Sequence, residues 1–198
     1  MGKAESDYKN MRMWRYKVLQ LLVFLSTLAV SSTFELFRSR IAIDYGPRII
    51  GVAYGLGGNL KTLGTIANKG GNLTLLAEQV YTIAKRQSAI EIIVGLPLDS
   101  NGKMSYAIKN FNGNLCLNFS SVLATVIQNR ADRIKVVLVD ERYTTREAKA
   151  RMLMENIRDS IDAVSAMCLL ERYRLIFHTK LTSSTTVHLL IKFISQRS

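Results

Sequence analysis

The stretch IAIDYGPRIIGVAYG, Ile41 to Gly55, sets two apolar, β-branched-rich runs on either side of a tight Gly46-Pro47 corner. Ile41-Ala42-Ile43 and Ile49 to Tyr54 therefore read as the two strands of a hairpin. One carboxylate, Asp44, stands in the first run. A charge in a central strand is costly unless something compensates it. Asp44 is thus either a turn residue accepting hydrogen bonds from the corner or one member of a charged site.

Outward from the hairpin the pattern stays regular. Asn59 to Ile66 continues as a third strand after the Gly57-Gly58 turn, and Gly70-Gly71-Asn72 ends the meander. Leu73, Leu76, Val80 and Ile83 then recur at helical spacing up to Arg86, with Glu78, Lys85 and Arg86 on the other side. Ile90 to Leu96, stopped by Pro97, is the nearly continuous apolar run of a central parallel strand. Residues 98–120 are rich in Asn, Ser and Gly and give no clear pattern; a helix is expected only at their end, through Val122 to Gln128. Arg133 to Val139 is a second buried strand, closed by LVDERYTT, and helices follow over Thr145 to Asn156 and from Ser160 to about Leu175. The order β-β-β-α-β-α-β-α predicts an α/β fold. Its mixed sheet is a three-stranded antiparallel meander joined to parallel strands by crossovers, with helices on its faces.

A length of 198 residues fits one domain with extensions, and 48% hydrophobic against 21% charged residues suffices for a real core. The expected division is an N-terminal extension, 1–39, a domain over 40–175 and a tail over 176–198. The net charge is +12, of which the central residues 41–175, with 17 basic and 12 acidic groups, carry only +5. A basic globular chain favours an anionic partner, nucleic acid first and an acidic membrane second. Cys116 and Cys168 lie far apart without His or Cys neighbours. That excludes a zinc knuckle, argues against a disulfide scaffold, and leaves two reduced thiols in the core.

The N-terminal run Val18 to Val30 is too short for a bilayer span, which needs about 20 residues. Its length suits the hydrophobic part of a signal peptide, with Ala29-Val30-Ser31 as a cleavage site. The Arg- and Ser-bearing, acid-poor flanks equally suit an organelle transit peptide. The expected location is a chloroplast or mitochondrion if this segment is a transit peptide, and the cytoplasm otherwise. The remaining readings are an amphipathic extra helix, with a role at a membrane surface, and an extension with no role in the fold.

Carboxylates stand at the ends or middles of several central elements: Asp44 in the first strand, Asp140 and Glu141 closing the last, and Asp162 in the first turn of the last helix behind Ser160, a good N-cap. Sites on α/β sheets gather at the carboxyl ends of the strands. Successive strand residues point to opposite faces, so Asp140 and Glu141 share one site only if the strand has already ended. Converging acids repel one another and are reconciled by divalent cations, and oxygen-only ligands favour Mg²⁺ or Mn²⁺ over zinc. Such ions can activate water and stabilise the leaving oxygen in phosphodiester cleavage. Each acid also has a plainer explanation: Asp44 a turn acceptor, Asp162 a partner of the helix dipole, Asp140-Glu141-Arg142 a surface ion-pair cluster.

The motifs IDYGPRIIGVA, IVGLPLDSNGK, VLVDERYTTREA and IDAVSAMCLLERY, in this order over residues 40–175, resemble the YqgF/RuvX family. Its members are described as Holliday-junction resolvases or as nucleases maturing the 5′ end of pre-16S rRNA, on an RNase H-like fold. The resemblance implies a metal-dependent nuclease with its acids on Asp44, Glu141 and Asp162, Asp140 adjacent as a further metal ligand, and Mg²⁺ or Mn²⁺ as cofactor. Arg48 and Arg142 become contacts to the phosphate backbone or holders of the acids, Arg146 a further nucleic-acid contact, and Gly95-Leu96-Pro97 the floor of the site. The implied substrate is structured nucleic acid, pre-rRNA before branched DNA, with no small-molecule cofactor and room for a homodimer. The chain departs from the family in the single basic residue, Arg48, after Asp-x-Gly, in Lys103-Met104, and in the irregular-looking stretch Asn110 to Asn118. Two rivals remain: a non-catalytic nucleic-acid-binding domain of the same fold, and an actin- or sugar-kinase-like ATPase half. The ATPase ranks last, because 198 residues leave no room for its second domain.

Overall fold

The computed structural model describes residues 38–68, 72–98 and 111–176, with Gln20 alone of the leading segment. The expectations for the N-terminal segment, for Gly70-Gly71, for Lys103-Met104 and for the tail beyond Ile176 lie outside the described residues.

Five strands form one sheet: β1, Arg40–Tyr45; β2, Ile49–Leu56; β3, Asn59–Ala67; β4, Glu91–Leu96; and β5, Lys135–Asp140, in the order β3-β2-β1-β4-β5. β1 pairs antiparallel with β2, β2 antiparallel with β3, and the β1–β4 and β4–β5 pairs are parallel. This is the mixed sheet that the sequence predicts, a three-stranded antiparallel meander joined to parallel strands. Helices flank it: α1, Leu73–Arg86; α2, Phe111–Asn129; α3, Thr144–Glu155; and α4, residues 161–176.

The hairpin corner closes with the Gly46 N–H donating to Ile49 O at 3.1 Å. A side chain on Gly46 would strike that same carbonyl, which is why a glycine opens the turn. α1 starts at Asn72, whose side chain accepts from the Thr74 and Leu75 N–H groups, a cap worth about 1 kcal/mol. α2 begins at Phe111, well ahead of the expected Val122. Asn, Gly and Ser obscured it, yet Cys116, Phe119, Leu123, Val126 and Ile127 are all buried at helical spacing, and that packing overrides weak propensity. β5 is shifted from the expected Arg133–Val139 to Lys135–Asp140, so that Asp140 itself is its last residue.

The pleat sorts the core into two layers. Ile41, Ile43, Tyr45, Ile50, Val52, Ile92 and Val94 pack with α1 and α2, where the Tyr45 and Phe119 rings stack at 4.8 Å. Ala42, Ala53, Ile93 and Val139 pack with α3 and α4 through Ala148, Val164, Ala166, Met167, Leu169 and Leu170. Both cysteines are buried free thiols, as expected. At the starts of β1 and β4, Arg40 sits directly across from Glu91, and the two form a buried ion pair at 2.7 Å that also accepts the Tyr173 hydroxyl. Losing one partner of such a pair costs about 3–5 kcal/mol, which pins the register of the central parallel strands.

Candidate active site

The face covered by α4 is lined with small residues where the sheet meets the helix. Asp44 is two residues on from Ala42 and so points to this face. Its direct partner across the ladder is Gly51. A Cβ on Gly51 would fall on the backbone of Asp162, so the absence of a side chain there lets the first turn of α4 rest on β2. The same cross-strand pair therefore supplies one acid and the seat of another. Ser160 caps α4, its Oγ accepting from the Ala163 N–H at 3.2 Å, and this places Asp162 in the helix's first turn.

Glu141 arrives from the other side. Its N–H still donates to Leu96 O at 3.2 Å, continuing the β5 ladder by one residue, and the pleat turns its side chain toward the α4 face. The carboxyl lies over Gly95, where a Cβ would strike Oε2. Gly95 thus lies directly beneath the Glu141 carboxyl, whereas Leu96, which the resemblance also assigned to the floor, packs into the core on the opposite face. Pleat parity separates the neighbouring acids: Glu141 goes to the face of Asp44, while Asp140 is engaged by Arg142, whose Nε and Nη2 donate to Oδ2 at 2.9 and 2.7 Å.

The electrostatics follow from this placement. Burial, and then the charge of Asp162, lifts the Asp44 carboxyl from 3.8 to about 6, against a smaller lowering by Ser165. Burial, and then the charges of Asp44 and Asp140, lifts Glu141 from 4.5 to about 8. Partial burial would raise Asp140 too, but the hydrogen bonds and charge of Arg142, with Arg172 beyond, hold it below the usual carboxylate value. Beneath the site Cys116 donates to Gly95 O at 2.9 Å. Its thiol is pushed up to about 12 by burial and the Glu141 charge, so it stays neutral.

The backbone carbonyls of the loop after β5 are all bonded. Arg172 Nη1 donates to the carbonyls of Asp140 (2.8 Å) and Arg142 (2.7 Å), and its Nη2 to Glu147. The carbonyl of Glu141 accepts both the N–H and the hydroxyl of Thr144. Periodicity marked Arg172 only as a helix residue, and no sequence signal tied it to a loop thirty residues earlier.

Two buried polar atoms on this face have no hydrogen-bond partner, Glu141 Oε2 and Ser165 Oγ. Ser165 is near enough to Asp44 to favour its charged form without completing a bond to it. Among the described residues no three acidic, histidine or cysteine side chains stand close enough to form a ready-made cation cage. The donor chemistry nevertheless fits a hard divalent cation: three carboxylates from separate elements, mutual repulsion that a cation would relieve, and one buried oxygen lacking a partner. Of the expected phosphate contacts, Arg48 and Arg146 are exposed, on the β1–β2 corner and on α3, and the Arg48 guanidinium pairs with none of the three acids. Arg142 is half-buried against Asp140.

Solved structures similar in fold include "T. thermophilus RuvC in complex with Holliday junction substrate", 8% identical over 70% of this chain and 96% of that one, with a TM-score of 0.47. Another is the yeast mitochondrial Holliday junction resolvase Ydc2, 10% identical over 76% of this chain and 83% of that one, TM-score 0.46. The Francisella tularensis subsp. tularensis (strain WY96-3418) protein named "Putative pre-16S rRNA nuclease" is 32% identical over 146 residues, covering 70% of this chain and 97% of the relative. Its counterpart of the same name in subsp. novicida (strain U112) is similar to the same extent. A family model described as "RuvX: Holliday junction resolvase" matches residues 38–174. The chain belongs to the RuvX family of phosphodiester-cleaving nucleases.

Proposed function

We propose that the chain is a metal-dependent endonuclease acting on structured nucleic acid, with processing of the 5′ end of pre-16S rRNA as its task. The observation that carries this reading is the arrival of Asp44, Glu141 and Asp162 on one face of the sheet, with Glu141 Oε2 buried and unpartnered. Those three residues would hold Mg²⁺ or Mn²⁺, which when bound activates water and stabilises the leaving oxygen.

The protein's own part is to prepare the ground. Gly51 and Gly95 set how closely α4 and the β5 loop approach, and so fix the depth of Asp162 and Glu141. Thr144 and Arg172 immobilise the loop that carries Glu141. Exposed Arg48 and Arg146 contact the phosphate backbone, which positions a substrate without reading its sequence. The rRNA substrate is favoured by the names of the relatives at 32% identity.

The test offers the protein, with Mn²⁺, a pre-16S leader RNA and a four-way DNA junction in competition. The reading expects cuts near the mature 5′ end and an untouched junction. Cleavage of the junction alone would make the protein a recombination enzyme, and binding of either without cleavage would make it a nucleic-acid-binding domain.

A further inference from the structure

Tyr143 is the second residue after Glu141 and precedes α3. Its backbone is left-handed, with φ 69° and ψ 0°. A bulky residue rarely adopts that conformation, which costs about 1–3 kcal/mol and persists only where the surroundings impose it. Here they do. The carbonyls of Asp140, Glu141 and Arg142 are all bonded, to Arg172 and Thr144, and the Arg142 N–H donates to Asp140 Oδ1 at 3.0 Å. The strain has a consequence for the side chain: Tyr143 is 64% exposed, and no hydrogen bond, ion pair or ring contact of its side chain joins it to the described residues. Tyr143 is the N-cap of α3 and its carbonyl accepts from the Glu147 N–H at 2.9 Å, but its side chain makes no capping hydrogen bond. A strained backbone thus holds a large aromatic ring out in solvent, its Cα at most about 7.6 Å from that of Glu141.

Neither core packing nor side-chain capping accounts for this arrangement. An exposed ring on a rigid loop beside carboxylates cannot attract phosphate, but it offers a flat face on which an unpaired base can stack. Base–aromatic stacking is tolerant of sequence and strong enough to hold one nucleotide in place. RNA is characteristically recognised through such unstacked bases in loops and at ends.

We infer that Tyr143 is a stacking platform for an unpaired base next to the phosphate to be cleaved, so that the protein selects single-stranded or junction-flanking nucleotides over continuous duplex. Tyr143 is a positioning residue in this role. The inference rests on the nuclease reading and deepens it by naming the structural class of its substrate.

The experiment compares full-length wild type with Tyr143→Phe, Tyr143→Gly and Tyr143→Asn. Gly and Asn both accept the left-handed backbone, so they remove the ring without disturbing the loop. Thermal unfolding of each variant checks that they fold. Binding to a stem–loop RNA with an unpaired 5′ leader, and to a fully paired RNA of equal length, is measured by fluorescence anisotropy in EDTA to prevent cleavage. Cleavage with Mn²⁺ is then measured separately. The expected result is about 5- to 150-fold weaker binding of the unpaired RNA by the Gly and Asn variants, duplex binding unchanged, and Tyr143→Phe equal to wild type. Unchanged leader binding by the ring-free variants, an equal loss on duplex, or a Phe variant as weak as Gly would each overturn the stacking role while leaving nuclease activity intact. A wild type that neither binds nor cleaves RNA would overturn the nuclease reading, and this inference with it.

Discussion

Replacing Glu141 by Gln should make the metal-free protein more stable, by an amount that grows as pH rises above 4.5 and levels off above about 8. In the folded protein the Glu141 carboxyl is held at about 8, against 4.5 ordinarily, by burial and by the charges of Asp44 and Asp140. Between those values the folded state keeps a proton that the unfolded chain releases. Stability is therefore fully present below the unfolded value and is lost as pH rises through 8. Each pH unit between the two values is worth about 1.4 kcal/mol. Because Asp44, itself raised to about 6, titrates in the same range, the share belonging to Glu141 alone is roughly 2–4 kcal/mol. The Gln side chain keeps the shape over Gly95 and removes the charge. For a protein of this size that gain corresponds to a melting temperature roughly 4–15 °C higher than wild type at pH 8.5, and nearly equal at pH 4.5. Differential scanning calorimetry in EDTA across this range reads it directly. A Gln variant no more stable than wild type at pH 8.5, or stabilised equally at both ends, would refute the reasoning that Glu141 is an uncompensated carboxyl.

Three further outcomes follow from the same geometry. Gly51→Ala puts a methyl group into the backbone of Asp162, so α4 must move; the expected cost is about 1–3 kcal/mol in urea unfolding, with cleavage falling by more than the loss of folded protein explains. Arg172→Gln removes the donors that hold the carbonyls of Asp140 and Arg142; steady-state kinetics should show kcat down about tenfold at similar KM, the signature of a loosened acid rather than of lost binding. Arg146→Ala should weaken RNA binding without regard to sequence and reduce the slope of log affinity against log salt by about one, measured between 50 and 200 mM salt.

The sheet was legible because its strands alternate or run apolar without interruption, and the Gly46-Pro47 corner and the Ser160 cap are local signals; Asn72 read only as the end of the meander, and its capping role shows in the structure. The choice between Asp140 and Glu141 was not. It depends on where β5 ends, and a single residue's shift of the strand exchanges the faces. The convergence of Asp44 with Asp162 depends on Gly51, a residue that reads in sequence as an ordinary strand glycine until α4 is laid over it. The buried Arg40–Glu91 pair joins residues that are adjacent only after β1 and β4 pair. Tyr143 is beyond sequence reading altogether, since nothing in DERYTT announces a left-handed tyrosine. α2 was obscured for a different reason: its first half is built from residues with poor helix propensity, and burial of Cys116 and Phe119 on the sheet decides its conformation.

The central claim is that Asp44, Glu141 and Asp162 together make a metal-dependent nuclease. Its most direct test is a Mn²⁺ titration of RNA cleavage by the full-length wild type and by Asp44→Asn, Glu141→Gln and Asp162→Asn. The account predicts cleavage that is absent in EDTA, rises with Mn²⁺, and drops roughly 100-fold or more in each variant while each variant still melts cooperatively. Cleavage by the wild type in EDTA, or wild-type rates in any of the three variants, would contradict it.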